Sequence, residues 1–267
     1  MLVVACLLAS CSAAAGSDRG GVFSSPKPGQ QSALDESFDG DVLDDSVWST
    51  CYWWADDNGC TIASNHELEW YVPEQVNVRD GALRLTAAHR DVTGSDGKQY
   101  PYVSGMVTTG PPADGEKPKL AFRYGTVAVR FQTPRGRGLW PAIWMLPANQ
   151  QSRPEIDLLE ASARYPGQVM MHVHPNDGPS EGKNIRLPER STLSSGWHTV
   201  RLDWQPDRLV FFLDGAKVWQ VSGTQVPQER MYLVMNLAVG GTYGGQPDSS
   251  AFPATLRIDH VRIRVAP

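Results

Sequence analysis

The segment PEIDLLE, residues Pro154 to Glu160, places three carboxylates among apolar side chains. Side chains on a β-strand alternate between its two faces, so Glu155 and Asp157 would share one face and Glu160 would point the other way. A β-bulge of one residue between Asp157 and Glu160 would bring all three acids to the same side. The same residues also fit the first turns of a helix, with Pro154 at the first helical position and acids near the positive end.

The rest of the chain favours strands. Short alternating segments are broken by Gly, Pro, Asn and Asp, and no long amphipathic helix is present in the sequence. Asp80-Gly81 and Asp214-Gly215 are typical hairpin turns between two such segments. Many short strands joined by turns predict a single all-β sandwich domain over residues 34–267, with no internal repeat. The clearest of these segments are Gln75 to Arg79, Ala82 to Ala87, Gly125 to Phe131, His198 to Trp204, Arg208 to Leu213 and Ala254 to Val265.

Several motifs around the three acids resemble glycoside hydrolase family 16, in the laminarinase-like branch that carries the bulged E-I-D-x-x-E form. This resemblance implies a β-jelly-roll sandwich whose concave sheet forms a carbohydrate-binding cleft. It extends over nearly everything from Leu34 to Val265. Besides the acids, it rests on Gly138–Pro147 (GLWPAIWMLP), Met235–Gly241 (MNLAVGG), Asn65–Tyr71 (NHELEWY), Tyr124–Arg130 (YGTVAVR) and Ile258–Ile263 (IDHVRI).

The resemblance assigns a role to each acid. Glu155 would be the nucleophile, Glu160 the general acid/base, and Asp157 a hydrogen-bond partner of Glu155. The implied activity is a retaining endo-β-glycosidase that hydrolyses β-1,3- or mixed-linkage glucan by double displacement, with no cofactor for catalysis. Crowding of like charges is expected to raise the pKa of at least one of these acids. The resemblance also implies that substrate is bound by Asn65, Glu67, Trp70, Arg130, Trp140, Trp144, His174 and Asn236.

Each substrate-binding assignment has a structural alternative. Trp140 and Trp144 are four residues apart and would share one face of a strand, but either could belong to the core. Arg130 would fit a surface ion pair equally well. Asn236 could be a buried side chain that bonds the backbone.

The sequence suggests two candidate metal sites. The resemblance implies that Asp259 and the turn at Gly81 could hold a structural calcium ion, although Asp259 could also be an ordinary surface aspartate. The segment Glu36-Ser37-Phe38 lacks the acidic residue that many laminarinase-like members carry next to the Phe, which weakens the calcium prediction. His172 and His174 face the same way on a predicted strand, a spacing that could indicate a metal site instead of the family's cleft histidine at position 174.

The amino terminus predicts export. Residues 1–10 form an apolar run typical of a secretory signal, and Leu8-Ala9-Ser10-Cys11 resembles a bacterial lipobox in which Cys11 is acylated. No Lys or Arg precedes the run, so the true start is expected to lie upstream. Residues 11–33, rich in Ser, Gly, Ala and Pro, would form a lipid-anchored flexible linker. The protein would then be an exported lipoprotein of the bacterial cell envelope; cleavage after the alanines at 13–15 would make it a secreted protein instead.

Cys51 and Cys60 remain for the folded domain. In an oxidising compartment the two are expected to form a disulfide, which would stabilise the fold by about 2 to 3 kcal/mol; two buried free thiols are the alternative. The loop that they bracket, Thr50 to Cys60, is rich in aromatic residues and unlike other laminarinases, so it could shape an unusual subsite.

Composition narrows the class of function. Hydrophobic residues make up 41% of the chain and charged residues 20%, which is ordinary for a soluble domain. The net charge of −5 gives no reason to expect nucleic acid or an anionic membrane surface, so membrane contact would come only through the lipid anchor. We expect a monomer with a polysaccharide partner. Nine tryptophans favour carbohydrate, because indole rings stack on sugar faces.

Other functions compete with β-glucan hydrolysis. A family member tethered to the envelope could depolymerise a succinoglycan-like exopolysaccharide, and a β-glucan transglycosylase would share every catalytic residue. A non-catalytic lectin has no need of three clustered acids, which argues against that interpretation.

Overall fold

The computed structural model describes residues 29–162, 164–165, 167–189 and 191–266, except for the side chains at positions 57 and 58. The predicted signal segment, Cys11 and all but the end of the predicted linker lie outside these residues. Within the described ranges, no helix is long and apolar enough to span a membrane.

Strands make up nearly all of the regular secondary structure that the described residues form. The helices are single turns: α1 (Ala55–Asn58), α2 (Gly241–Gly244) and four 3-10 turns at Ala63–Asn65, Pro73–Gln75, Gly223–Gln225 and Ser249–Ala251. The strands are β1 (Gln31–Glu36), β2 (Glu69–Tyr71), β3 (Val76–Arg79), β4 (Ala82–Thr93), β5 (Gln99–Ser104), β6 (Met106–Thr108), β7 (Gly125–Gln132), β8 (Leu139–Pro147), β9 (Glu155–Glu160), β10 (Gln168–His174), β11 (Glu181–Arg186), β12 (His198–Gln205), β13 (Arg208–Leu213), β14 (Ala216–Ser222), β15 (Met231–Val239) and β16 (Ala254–Val265).

These strands form two sheets. The larger sheet has ten strands in the order β14-β13-β12-β7-β16-β4-β5-β2, with β1 on β16 and β3 on β4. The smaller sheet has six strands in the order β11-β10-β9-β8-β15-β6. The pairings are antiparallel except for β2 with β5, which is parallel. The predicted all-β jelly-roll sandwich is therefore confirmed.

The main core lies between the two sheets, and the alternation along β8 shows which face of the smaller sheet it uses. Ile143 and Met145 are fully buried in that core. Trp144 points to the opposite face, where it joins a second, smaller apolar cluster. The smaller sheet thus has one face committed to the core and one available for a cleft.

Both predicted hairpin turns are present. Asp80 and Gly81 join β3 to β4 with φ of 52° and 67°, and Asp214 and Gly215 join β13 to β14 with φ of 50° and 81°. Two successive residues with positive φ match the twist of antiparallel strands, and Asp followed by Gly tolerates that backbone well.

Candidate active site

The segment that carries the three acids is a strand, β9, and it contains the predicted bulge. Asp157 pairs with Trp144 of β8, whereas Leu159 pairs with Ile143, so Leu158 is the extra residue. Leu158 and Leu159 are both buried in the main core. Because two successive residues face the core, the alternation of side chains between the two faces shifts by one residue. Glu160 therefore points to the same face as the other acids.

That face is the floor of a cleft of about 740 Å³. Strands β8, β9 and β15 form the floor, and the segment 61–65 with the disulfide loop forms one wall. The predicted site residues that line it are Asn65, Glu67, Trp140, Trp144, Glu155, Asp157, Glu160 and Asn236.

Two histidines of β10 stand beside the acids. His174 Nε2 lies 3.2 Å from Asp157 Oδ2 and 3.6 Å from Glu155 Oε1, while its Nδ1 is 2.6 Å from Ser180 Oγ. His172 Nδ1 lies 2.7 Å from Glu160 Oε2. The structure therefore places His174 at the acid cluster and adds His172 as the partner of Glu160, while binding of substrate by His174 stays a prediction.

The acids perturb one another, as the sequence predicts. Burial, followed by the charge of Asp157, raises the pKa of Glu155 well above its usual range. Burial, followed by the charge of Glu160, does the same to the pKa of Asp157. Asp157 and Glu155 are joined by a side-chain hydrogen bond, so the two carboxyl groups share a proton and titrate together. The Asp157 side chain is 5% exposed and that of Glu155 is 28% exposed.

A second pair of acids lies at the wall of the cleft. Glu67 Oε1 accepts a hydrogen bond of 2.9 Å from Asn65 Nδ2, and Glu69 Oε2 accepts one of 2.7 Å from the Val239 N–H. A side-chain hydrogen bond joins the two glutamates. Burial raises the pKa of both, and the charge of Glu67 raises that of Glu69 further. The pair accordingly holds a proton that an exposed glutamate would have released.

Trp144 and Asn236 are held by a buried network. Trp144 Nε1 donates a hydrogen bond of 2.8 Å to Asn236 Oδ1, and Asn236 Nδ2 donates one of 2.9 Å to the Tyr71 hydroxyl. Both residues also line the cleft. The tryptophan ring is thus fixed in orientation by side chains of two other strands.

Trp70 lies outside the cleft lining. It packs behind the wall, with its ring 5.1 Å from that of Tyr100, and its contact with substrate stays a prediction. A Cβ on Gly59 or on Gly94 would meet this ring at under 3 Å, so both glycines are needed for the ring to fit. Trp70 therefore supports the disulfide loop from inside.

Arg130 also lies elsewhere than predicted. It is on β7 in the larger sheet, where its guanidinium pairs with Asp259 of β16 and lies over the Trp197 ring at 5.1 Å. The alternative of an ion pair is therefore the one observed. Arg130 pairs with one oxygen of the Asp259 carboxylate, and the calcium ion predicted at Asp259 and the Gly81 turn stays a prediction.

The disulfide between Cys51 and Cys60 is confirmed, with 5.5 Å between the two Cα atoms. It closes the loop that carries Trp53 and Trp54, and both indole rings line the cleft. Sequence reasoning placed this loop near a subsite but assigned no role to either ring. The signal was the unusual Tyr-Trp-Trp run between two cysteines.

Comparisons with known proteins agree with this geometry. Residues 64–261 match the family model described as Glycosyl hydrolases family 16. The chain belongs to this family. The chain is 31% identical over 226 residues to an endo-1,3-1,4-beta-glycanase of Rhizobium meliloti, covering 81% of this chain and 47% of that protein. It is 32% identical over 263 residues to glucan endo-1,3-beta-glucosidase A1 of Niallia circulans, covering 85% of this chain and 37% of that protein.

Among solved structures, the laminarinase catalytic domain of Thermotoga maritima superposes with a TM-score of 0.77 at 27% identity, covering 89% of this chain and 99% of that domain. The family 16 chain thus matches a complete catalytic domain in that case. It spans half or less of the length of the two curated relatives above.

Proposed function

We propose that this family 16 chain is a retaining endo-β-glucanase that cleaves β-1,3- or mixed β-1,3-1,4-linked glucan. The observation that carries the proposal is the bulge at Leu158, which brings Glu155, Asp157 and Glu160 to one face of β9 on the floor of an aromatic-walled cleft. The activities of the two relatives, on β-1,3 and β-1,3-1,4 linkages, support this substrate class.

In the first step, the Glu155 carboxylate attacks the anomeric carbon while the bond to the leaving oxygen breaks and Glu160 gives that oxygen its proton. In the second step, Glu160 takes a proton from water, and the water oxygen displaces Glu155 from the anomeric carbon. Two displacements retain the anomeric configuration. Asp157 holds the Glu155 side chain in place through their hydrogen bond, and the side chains supply all the chemistry without a cofactor.

The cleft also explains how a polysaccharide would be held. Trp140 and Trp144 lie on the floor, Trp53 and Trp54 form part of a wall, and Asn65 offers a polar group between them. Ring faces that surround a trough suit the apolar faces of successive glucose units, so the cleft fits internal positions of a chain.

The test is a panel of polysaccharides. We expect the purified protein to release oligosaccharides of several lengths from laminarin and from mixed-linkage β-glucan, and NMR in the first minutes should show the β-anomer before mutarotation. Early appearance of the α-anomer would contradict the retaining mechanism. Products longer than the starting oligosaccharides would indicate a transglycosylase instead of a hydrolase.

A second candidate is depolymerisation of a succinoglycan-like exopolysaccharide. The feature that favours it is the disulfide loop at the wall, whose Trp53 and Trp54 could accept a substituted or branched sugar. Cleavage of an acidic bacterial exopolysaccharide, with laminarin left intact in the same panel, would select this alternative.

We infer further that the protein acts as a monomer anchored to the bacterial cell envelope through lipid on Cys11. The support is the lipobox-like sequence and the Ser/Gly-rich segment after it. Wild-type protein should partition into detergent, and Cys11→Ser should be released as a soluble form that elutes as a monomer. Soluble wild-type protein with an amino terminus after position 15 would refute the anchor.

A further inference from the structure

Two histidines and an aspartate converge beside the catalytic acids. On neighbouring strands, His172 is in register with Asp157 and His174 with Glu155. One ring nitrogen of each histidine and one carboxylate oxygen of Asp157 lie within 4.8 Å of one another. Two imidazoles and a carboxylate are a common ligand set for zinc.

The spacing of the ligand atoms suits one ion. His174 Nε2 and Asp157 Oδ2 are 3.2 Å apart. Two ligands of a tetrahedral zinc ion, each about 2.0 to 2.2 Å from the metal, are separated by roughly 3.3 Å. Asp157 Oδ2 is buried and faces His174 Nε2. An ion between these two atoms would bind both.

The ring of His174 is already oriented for metal binding. His174 Nδ1 is held by Ser180 Oγ at 2.6 Å, which leaves Nε2 directed at Asp157. A hydrogen bond of this kind fixes the tautomer and the ring angle of a metal-binding histidine. Both histidine side chains are partly exposed, at 22% and 27%. To bind a shared ion, His172 Nδ1 would exchange its contact with Glu160 Oε2, at 2.7 Å, for the metal.

The local charge also favours a cation. Among the ion pairs of the described residues, the three acids of β9 contact only histidines, with no Lys or Arg within 4 Å. A divalent ion at Asp157 would lie between two like-charged neighbours, Glu155 and Glu160. Nitrogen-containing ligand sets select Zn²⁺ and Cu²⁺ over Mg²⁺ and Ca²⁺.

We propose that His172, His174 and Asp157 form an inhibitory site for a transition-metal dication, with Zn²⁺ as the probe. Asp157 lines the cleft between Glu155 and Glu160, so an ion bound to it would compete with polysaccharide. The competition rests on the proposed function, whereas binding of the metal does not.

The binding experiment uses the full chain after treatment with a chelator. Isothermal titration with Zn²⁺ should show a site that is weakened about 10- to 100-fold or more in His172→Gln and in His174→Gln. His66→Gln, which changes an exposed histidine outside the cleft lining, is the matched control and should bind as the wild type does. Zn²⁺ bound elsewhere on the chain is removed by taking the difference between wild type and variants. Ca²⁺ should give no corresponding signal.

The kinetic arm measures laminarin hydrolysis in wild-type protein. Zn²⁺ should raise the apparent KM, leave kcat unchanged and be fully reversed by a chelator. Wild-type affinity for Zn²⁺ in both folded histidine variants, with folding checked by circular dichroism, would overturn the site. Inhibition that lowers only kcat would overturn the competition. Zinc bound as expected by a protein that cleaves no polysaccharide would leave the site standing and reject the proposed function.

Discussion

Replacement of Glu160 by Gln is the sharpest test of the roles assigned to the acids. The amide keeps the shape of the side chain and can still hydrogen-bond His172 Nδ1, which lies 2.7 Å from Glu160 Oε2. What it removes is the proton for the leaving oxygen. A positioned general acid or base contributes about 10²- to 10⁴-fold in rate. At about 1.36 kcal/mol for each factor of ten, kcat/KM on laminarin should therefore fall by an equivalent of roughly 2.7 to 5.4 kcal/mol.

The assay that isolates this role uses a dinitrophenyl β-glycoside of a laminari-oligosaccharide. Its phenolate leaves without a proton, so the first step should stay fast in Glu160→Gln and give a burst of one phenolate per enzyme. The second step should then be slow, because no base activates water. Azide needs no base, so added azide should restore turnover and give a β-glycosyl azide.

Glu155→Gln is the matched control, since it is the same chemical change on the same strand. It should show neither a burst nor rescue by azide, because no covalent intermediate can form. If Glu160→Gln lost as much activity on the activated glycoside as on laminarin, or gained nothing from azide, Glu160 would not be the acid/base.

Three further changes test other parts of the structure. Asp157→Asn should lower kcat by about 10- to 100-fold without abolishing it. The change weakens one charge-assisted hydrogen bond worth about 1.5 to 3 kcal/mol. A variant with the kcat of the wild type would show that the acids are not coupled. The double change Cys51→Ser and Cys60→Ser should lower the free energy of unfolding, measured in denaturant, by about 2 to 3 kcal/mol. It should also raise KM more than it lowers kcat, because the loop that carries two cleft tryptophans loosens. Burial, with the charge of Glu67, holds the pKa of Glu69 above its unfolded value of about 4.3. Above a pH of about 4.3 the folded state therefore keeps a proton that the unfolded state has released. The free energy of unfolding falls as the pH rises above that value. The stability of Glu69→Gln relative to wild type should therefore increase with pH, by up to about 1.4 kcal/mol per unit, and parallel pH profiles of melting would contradict this.

The shared face of the three acids could be predicted from the sequence because the alternation of side chains along a strand is a local property. Glu155, Asp157 and Glu160 can share a face only if one residue is extra, and the two leucines between Asp157 and Glu160 supply apolar side chains for both core-facing positions. The hairpin turns were predictable for the same reason, since Asp-Gly determines its own backbone.

The surroundings of Arg130 and Trp70 could not be predicted because they depend on pairing between distant segments. The alternation of side chains tells which residues share a face of a strand, but it does not tell which of two sheets the strand joins. Strand β7 lies between β12 and β16 in the larger sheet, so Arg130 meets Asp259 instead of the cleft. Strand β2 is covered on both sides, which buries Trp70. Arg130 and Asp259 are 129 positions apart in the chain.

The bulge also explains how the fold tolerates three carboxyl groups side by side. Bringing them together in a partly buried cleft disfavours their charged forms, as the raised pKa values of Glu155 and Asp157 show. The same irregularity directs Leu158 and Leu159 into the core, where each buried leucine contributes about 1.5 to 3 kcal/mol. One extra residue thus adds apolar burial on one face at the point where it adds repulsion on the other. The acids can stay poised for catalysis because the core beneath them holds the strand in this register.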